Sequence, residues 1–130
     1  MNTTEIGQIG EKLAEIYLKK NGYKILERNI HQSHNEIDII ASDSDFIVFV
    51  EVKTRSVGSL NDPLSYGTPA QAVTKGKQMR TVVAANDYLA SRKGQKYQNL
   101  QPRIDVVEVY LDKITHKAIK INHIYDAFGA

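Results

Sequence analysis

Two apolar runs, residues 36–42 and 46–53, constrain the fold of this chain more than any other feature. Both are rich in isoleucine, valine and phenylalanine, and "SDSD" between them consists of turn-forming residues, so together they predict a β-hairpin. Four charged side chains nevertheless lie within these runs: Glu36, Asp38, Glu51 and Lys53. Because charge is costly inside a sheet, their presence there requires a physical explanation.

The alternation of side chains along a strand predicts that the carboxylates share one face of the hairpin. A turn centred on Asp43 and Ser44 would place Glu36 opposite Glu51. Asp38 and Glu51 would then be diagonal neighbours, with β-carbons roughly 5–8 Å apart. A slip of one residue would move them to opposite faces, so the prediction depends on the turn.

Carboxylates at this spacing repel one another unless positive charge lies between them. Lys53 supplies one positive charge, which does not balance the group, whereas a divalent cation would. Oxygen ligands favour Mg²⁺, with Mn²⁺ as a substitute, over zinc, which prefers histidine and cysteine. His31 and His34 are expected in a polar loop rather than at a zinc site, and the chain has no cysteine.

The remaining pattern predicts an α/β fold in the order α-β-β-β-α-β-β, with a mixed sheet flanked by helices, as one domain over residues 1–130. The first helix is predicted over about 4–21, ending before Gly22, and a short strand over 23–29. A loop over 56–67 precedes a second helix, which starts at Thr68-Pro69 with Gln71 in a capping box and fades near Gly94. The last two strands are predicted over 104–111 and 118–124.

Composition is typical of a globular protein, and the expected location is the cytoplasm. Apolar residues make up 42% and charged residues 25%. No signal peptide and no apolar run of membrane-spanning length is read, so no membrane association is expected. Net charge is only +2, but residues 75–103 hold seven basic residues against the single acid Asp87. This basic segment suits a polyanionic partner, although a solvated helix face gives the same pattern.

Glu11 is a further candidate for the acidic cluster. On a helical wheel it lies beside Gly7, Ala14 and Leu18, a side that can approach another surface closely. The alternative is an exposed glutamate paired with a helix lysine. The wheel alone does not separate the two interpretations.

The order of these residues suggests a chemistry. Two carboxylates holding a cation, followed by a lysine, suit phosphodiester hydrolysis. Asp38, twelve residues and then Glu51-Val52-Lys53 resemble the PD-(D/E)xK core of restriction-endonuclease-like proteins. The chain is similar, more closely, to the YraN family of predicted endonucleases, related to Holliday junction resolvases. The matching segments run through nearly the whole chain: "GEKLAEIYLKKNGYKILERN", "EIDIIA", "VFVEVKTR", "AVTKGKQ", "RIDVV" and "HIYDAF".

The resemblance implies an endonuclease of DNA, with branched DNA as the substrate suggested by the resolvases, and assigns its residues. Asp38, Glu51 and the backbone carbonyl of Val52 would bind the metal, Lys53 would be the catalytic lysine, and Glu11 would join them as a catalytic residue and further metal ligand. Lys77 matches a second-helix lysine positioned to contact phosphate. The full set of expected nucleic-acid contacts is Arg55, Lys75, Lys77 and Arg80.

Other features leave alternatives open. Asp105 matches the family's "Arg-x-Asp" but is equally explained by a partly buried pair with Arg103. Asn35 stands where the family usually has glycine, His31 where arginine is common, and residues 59–65 suggest an extended flap. A two-fold dimer would suit a junction substrate, with the tail "IYDAFGA" as a candidate interface. The competing interpretations are a nucleic-acid-binding or scaffolding module with a vestigial site, and a purely structural network of buried ion pairs.

Overall fold

A computed structural model of the chain describes residues 2–32, 35–58 and 74–128. Its elements are α1 (Thr3–Lys20), β1 (Lys24–Gln32), β2 (Asn35–Ser42), β3 (Phe46–Val57), α2 (Lys75–Ala90), a short 3₁₀ helix (Gly94–Tyr97), β4 (Gln101–Asp112) and β5 (Ala118–Ile124). The predicted α/β fold and its order α-β-β-β-α-β-β are confirmed. Within the described ranges, no helix has the length and apolar character needed to cross a membrane.

The five strands form one mixed sheet in the order β1-β2-β3-β4-β5. Strands β1 to β3 form an antiparallel meander, β4 runs parallel to β3, and β5 returns antiparallel to β4. The parallel pair requires a crossover, which includes α2. As a result β3, which carries Glu51 and Lys53, is the central strand of the sheet.

One helix covers each face of the sheet. On one face α1 contributes Ala14 and Leu18 to a core with Ile39, Ala41, Val48, Val50, Val52, Val107, Val109 and Leu111. On the other face α2 contributes Ala84, Ala85 and Tyr88 to a core with Ile40, Ile47, Phe49 and Ile104. Because successive residues of β3 alternate between these cores, Glu51 and Lys53 belong to the face that α2 covers.

The β2–β3 hairpin differs from the prediction by two residues of register. The Asp43 amide donates to the Phe46 carbonyl, which centres the turn one residue later, on Ser44 and Asp45. The Asp43 carboxylate also accepts from the amides of Asp45 and Phe46, and so fixes this turn. Moving the centre by one residue moves each partner by two, so the faces are kept. Ile40 pairs with Phe49 and Ile39 with Val50, so Glu51 comes to the level of Asp38, and the predicted placement opposite Glu36 was wrong.

Several predicted boundaries were wrong. Strand β3 continues to Val57, so residues 56 and 57 are not in the predicted loop, and β1 includes His31. Helix α2 begins at Lys75 because Thr74 is extended and its hydroxyl accepts from the Lys77 amide, which caps the helix. Several sequence predictions fall outside the described residues: the Thr68-Pro69 start, the Gln71 capping box, His34 and the flap at 59–65.

The two ends of α1 follow elementary helix rules. Asn2 caps the first turn by accepting from the Glu5 amide, and Gly22 leaves the helix at a φ of +90°, as predicted for its stop signal. Midway, Gly10 packs against β3, where an added Cβ would lie 1.8 Å from the Thr54 hydroxyl oxygen. This close approach brings the first half of α1, including Glu11, against the sheet.

Candidate acidic and lysine site

Asp38 and Glu51 meet where the β2–β3 ladder ends. The last backbone partners in that ladder are Ile39 and Val50. Beyond them the Asp38 carboxylate, rather than a β2 carbonyl, accepts the Val52 amide, with 2.8 Å between Oδ2 and N. In an antiparallel strand the N–H and C=O of one residue face the same neighbour, so the Val52 carbonyl is directed to this gap as well. Asp38 and Val52 are thus in direct contact, and their binding of a metal ion together with Glu51 stays a prediction.

Glu51 is a buried carboxylate between two ammonium groups. The residue is 6% exposed. Lys53 Nζ lies 3.6 Å from Oε1 and Lys77 Nζ lies 3.8 Å from Oε2, so each oxygen faces one lysine. Burial, followed by repulsion from Asp38, raises the pKa of Glu51 to about 7 despite both lysines. Its surroundings thus do not fully compensate its charge.

Asp38 shows the same imbalance in milder form. Burial raises its pKa, while the hydrogen bond from Val52 and the charge of Lys77 oppose the rise. Lys77 thus interacts with both acids from α2, across the sheet face. Two adjacent carboxylates whose pKa values are raised, with lysines at their edge, form the arrangement expected of a functional site.

Glu11 lies on the other side of Asp38. It lines a cleft of about 290 Å³ between α1 and the β1–β2 strands, together with Asp38, Asn29 and Arg28 among others. Burial raises its pKa, and the charges of Asp38 and Glu36 add to the rise. Glu11 therefore lies on the Asp38 side of α1, while Lys19 pairs with Glu15 at 3.4 Å.

The donor set fits a hard cation only in part. Nowhere in residues 2–32, 35–58 and 74–128 do three or more acidic or histidine side chains converge as a set able to hold a metal ion. The three-carboxylate cluster with Glu11 is therefore not assembled in this arrangement. Two carboxylates and a carbonyl oxygen remain, which is the sparse set that Mg²⁺ takes when water and phosphate supply the rest.

The predicted nucleic-acid contacts divide into two groups. Lys75 and Arg80 are exposed on α2, on either side of the partly buried Lys77. Arg55 is different, because its side chain is 16% exposed and its Nε donates to the fully buried carboxylate of Glu108. Its role in nucleic-acid binding stays a prediction, and its observed contact is structural.

Glu108 is a site-adjacent residue that sequence reasoning missed. It is the β4 partner of Lys53, fully buried, and it accepts from Arg55 and from the Tyr110 hydroxyl. The signal was available, because "IDVVEVYL" places this carboxylate in an apolar strand as Asp38 and Glu51 are placed in theirs.

Asp105 forms the predicted pair with Arg103 and also contacts His123 and the Asp126 amide. Its two carboxylate oxygens accept from Arg103 at 2.9 and 3.0 Å, and it lies 2.7 Å from His123 Nε2. The Asp126 amide donates to it at 2.9 Å, and His123 Nδ1 lies 2.9 Å from the Tyr17 hydroxyl. This set links α1, β4, β5 and the C-terminal segment, which supports the structural interpretation of Asp105.

The proposed dimer surface at the tail is engaged within its own chain. Tyr125 stacks on His123 with ring centroids 3.8 Å apart, and Phe128 packs against the core under α2. The Ala127 amide donates to the Ile104 carbonyl. The remaining residues, 129 and 130, lie outside the described part, and dimerisation stays a prediction.

Fold and site together define a small mixed α/β protein with an under-compensated pair of acids and two lysines at the centre of its sheet. The chain belongs to the uncharacterised protein family UPF0102, whose family model matches residues 10–109. It is 44% identical over 128 residues to a UPF0102 protein of Caldanaerobacter subterraneus subsp. tengcongensis, covering 98% of each chain.

Two further relatives are similar over nearly their full lengths. A UPF0102 protein of Alkaliphilus oremlandii is 48% identical over 125 residues, covering 95% of this chain and 97% of the relative. One of Caldicellulosiruptor saccharolyticus is 43% identical over 128 residues, covering 98% of this chain and all of the relative. The similarity thus extends over the sheet, both helices and the acidic site.

Proposed function

We propose that this protein is a divalent-metal-dependent endonuclease that hydrolyses phosphodiester bonds in DNA. The observation that carries the proposal is the state of Glu51, a buried acid beside Asp38 whose pKa is raised to about 7 although two lysines contact it. Charge that the protein leaves uncompensated at this point is available to a cation. The PD-(D/E)xK spacing of Asp38, Glu51 and Lys53, and the resemblance to the YraN family, support the same activity.

Each residue has a definite role in this proposal. Asp38, Glu51 and the Val52 carbonyl would hold Mg²⁺, or Mn²⁺ in its place, which polarises a phosphoryl group and lowers the pKa of a bound water. Lys53 lies on the same strand face as Glu51 and would orient the attacking water or stabilise the developing negative charge. Glu11 would support the site from α1.

The exposed bases of α2 supply the polyanion-binding surface. Lys75 and Arg80 flank Lys77, which reaches the acidic pair, so a phosphate backbone lying along the start of α2 would pass the site. Branched DNA is the proposed substrate because of the resemblance to Holliday junction resolvases. Cytoplasmic location and a homodimer acting on a two-fold junction are parts of the same proposal.

The test is cleavage of single strands, duplexes, flaps and four-way junctions in Mg²⁺, Mn²⁺ or EDTA. We expect metal-dependent products from the wild type, with Lys53→Ala reduced about 10²- to 10³-fold and Asp38→Asn inactive. Lys113→Ala, an exposed lysine of the β4–β5 turn, is the matched control and should retain full activity. Equal products from all variants would indicate a contaminating nuclease and contradict the assignment.

Binding measurements separate this proposal from the alternative of a scaffolding module with a vestigial site. Mn²⁺ titration followed by electron paramagnetic resonance should show saturable binding that Asp38→Asn abolishes. DNA binding that is indifferent to metal, with no saturable Mn²⁺ binding, would favour the scaffolding module.

A further inference from the structure

The ion pair between Lys77 and Glu51 is long and lies at the rim of the site. The two atoms are 3.8 Å apart, longer than a direct hydrogen bond, and the Lys77 side chain is 25% exposed at the rim of the site. Lys53, by comparison, is two residues from Glu51 on the same strand. Lys77 approaches the carboxylate pair from a different element, α2, and its charge acts on both acids.

Hydrogen bonds at both the amide and the carbonyl anchor the backbone of Lys77. A change of partner therefore requires a new conformation of the side chain only. Its amide donates to the Thr74 hydroxyl at 3.2 Å, and its carbonyl accepts from the Thr81 hydroxyl at 3.0 Å. Thr81 is itself buried at 2% exposure. A lysine side chain of four methylenes on such an anchor can exchange one partner for another without a shift of the helix.

We propose that Lys77 is the built-in counter-ion of Glu51 and Asp38, and that it exchanges the acidic pair for a substrate phosphate when a divalent cation binds. This inference rests on the proposed function. Both oxygens of Glu51 face an ammonium, so a cation held there would lie close to Lys77 Nζ and repel it. The displaced ammonium would point from the rim toward the surface flanked by Lys75 and Arg80. Cation binding and phosphate binding would thereby reinforce one another through Lys77.

Lys77 would act in this scheme as a positioning residue, with opposite effects on two ligands. Removing it takes away a competitor of the cation and also a contact of the phosphate. Removing a lysine that only binds phosphate would lower DNA affinity and leave cation affinity unchanged. Removing a lysine that only forms a structural ion pair would not raise cation affinity while lowering DNA affinity.

The first experiment is Mn²⁺ titration at pH 8 with wild type, Lys77→Met, Lys77→Arg and Lys75→Met. We expect Lys77→Met to bind Mn²⁺ roughly two- to fivefold more tightly, because the cation no longer has to displace a partly exposed ion pair. Lys77→Arg keeps the charge and should resemble the wild type. Lys75→Met removes an exposed lysine of the same helical turn and should also leave Mn²⁺ affinity unchanged.

The second experiment measures DNA binding by fluorescence anisotropy in EDTA and in Ca²⁺. Wild type should gain affinity with the cation, and Lys77→Met should lose most of that gain, while Lys75→Met weakens binding by the same factor in both conditions. Far-ultraviolet circular dichroism verifies that each variant is folded.

Failure of the exchange and failure of the proposed function give different results. Saturable Mn²⁺ binding that depends on Asp38, but is equal in wild type and Lys77→Met, would overturn the exchange alone. No saturable Mn²⁺ binding by the folded wild type would overturn both.

Discussion

Asp105 and Glu51 are buried carboxylates on neighbouring central strands, yet their surroundings move their pKa values in opposite directions. Asp105 is fully buried, and burial alone would raise its pKa, but hydrogen bonds from His123, Arg103 and the Asp126 amide outweigh that effect and lower it. Glu51 faces two ammonium groups at 3.6 and 3.8 Å, and its pKa is still raised to about 7.

Asp105 and Glu51 differ in how closely hydrogen-bond donors and positive charges approach their carboxylates. Every oxygen of Asp105 accepts short hydrogen bonds, whereas Glu51 has long ion pairs and an acidic neighbour, Asp38. A buried charge with complete hydrogen bonding stabilises the fold when ionised, and one without it is held at the expense of stability. Asp105 therefore behaves as a structural residue, and Glu51 as a residue kept for another purpose.

The largest expected effect is that of Asp105→Asn. It leaves Arg103, whose side chain is 11% exposed, without its ionic partner, so we expect a loss of about 3–5 kcal/mol in the free energy of unfolding. Urea denaturation in EDTA measures it. Asp45→Asn in the exposed hairpin turn is the control, with a change within about 0.5 kcal/mol. If Asp105→Asn lost as little stability as the control, Asp105 would not be the stabilising carboxylate that the comparison with Glu51 requires.

The pH dependence of stability tests whether the charge of Glu51 is incompletely compensated. The pKa of Glu51 rises from its ordinary value of 4.5 in the unfolded chain to about 7 in the folded protein, so the folded state binds the additional proton between these values. Stability due to Glu51 is therefore present below pH 4.5 and is lost as the pH rises through 7. The wild type should lose about 2–3 kcal/mol relative to Glu51→Gln across this range.

Urea denaturation of both proteins at pH 5, 6, 7 and 8 in EDTA gives this difference directly. Titrations common to both, including that of Asp105, cancel in the subtraction. If the wild type and Glu51→Gln show parallel pH profiles, Glu51 is compensated as fully as Asp105 and the contrast between them fails.

Asp38→Asn should produce a smaller change of opposite sign to Asp105→Asn. The amide oxygen can still accept from Val52, while repulsion of Glu51 is relieved, so we expect stabilisation by about 1 kcal/mol at pH 8 in EDTA. Thermal and urea denaturation measure it. A purely structural ion-pair network predicts the reverse, because Lys53 and Lys77 would lose a balancing charge.

Much of the fold was predictable because local patterns specify it. The helix stop at Gly22 and the strands within "EIDIIAS" and "FIVFVEVK" follow from turn chemistry and alternation. Asp38 and Glu51 come close enough to interact despite the wrong turn centre, because moving the centre by one residue shifts the register by only two. Thr74, which caps α2, was not predicted, and the predicted start at Thr68-Pro69 lies outside the described residues.

The missing parts of the site depend on contacts between distant segments. His123 reaches Asp105 from β5, and Lys77 reaches Glu51 from α2, and no periodicity encodes either distance. Lys77 was identified by resemblance alone. Glu108, by contrast, could have been found, since a glutamate at an apolar strand position carries the same signal that identified Asp38.

The smallest expected effect is that of Arg28→Gln, which tests whether a compensated carboxylate must also be buried to stabilise the fold. Glu15 resembles Asp105 in that its pKa is lowered, here mainly by a hydrogen bond from Arg28, with Lys19 adding to it. The Arg28 side chain is 56% exposed, however, so water screens the pair. Arg28→Gln should therefore shift the urea midpoint less than any change above, and 1 M NaCl should abolish the shift. A salt-resistant shift as large as that of Asp105→Asn would mean that direct hydrogen bonding, irrespective of burial, decides how strongly an acid supports this fold.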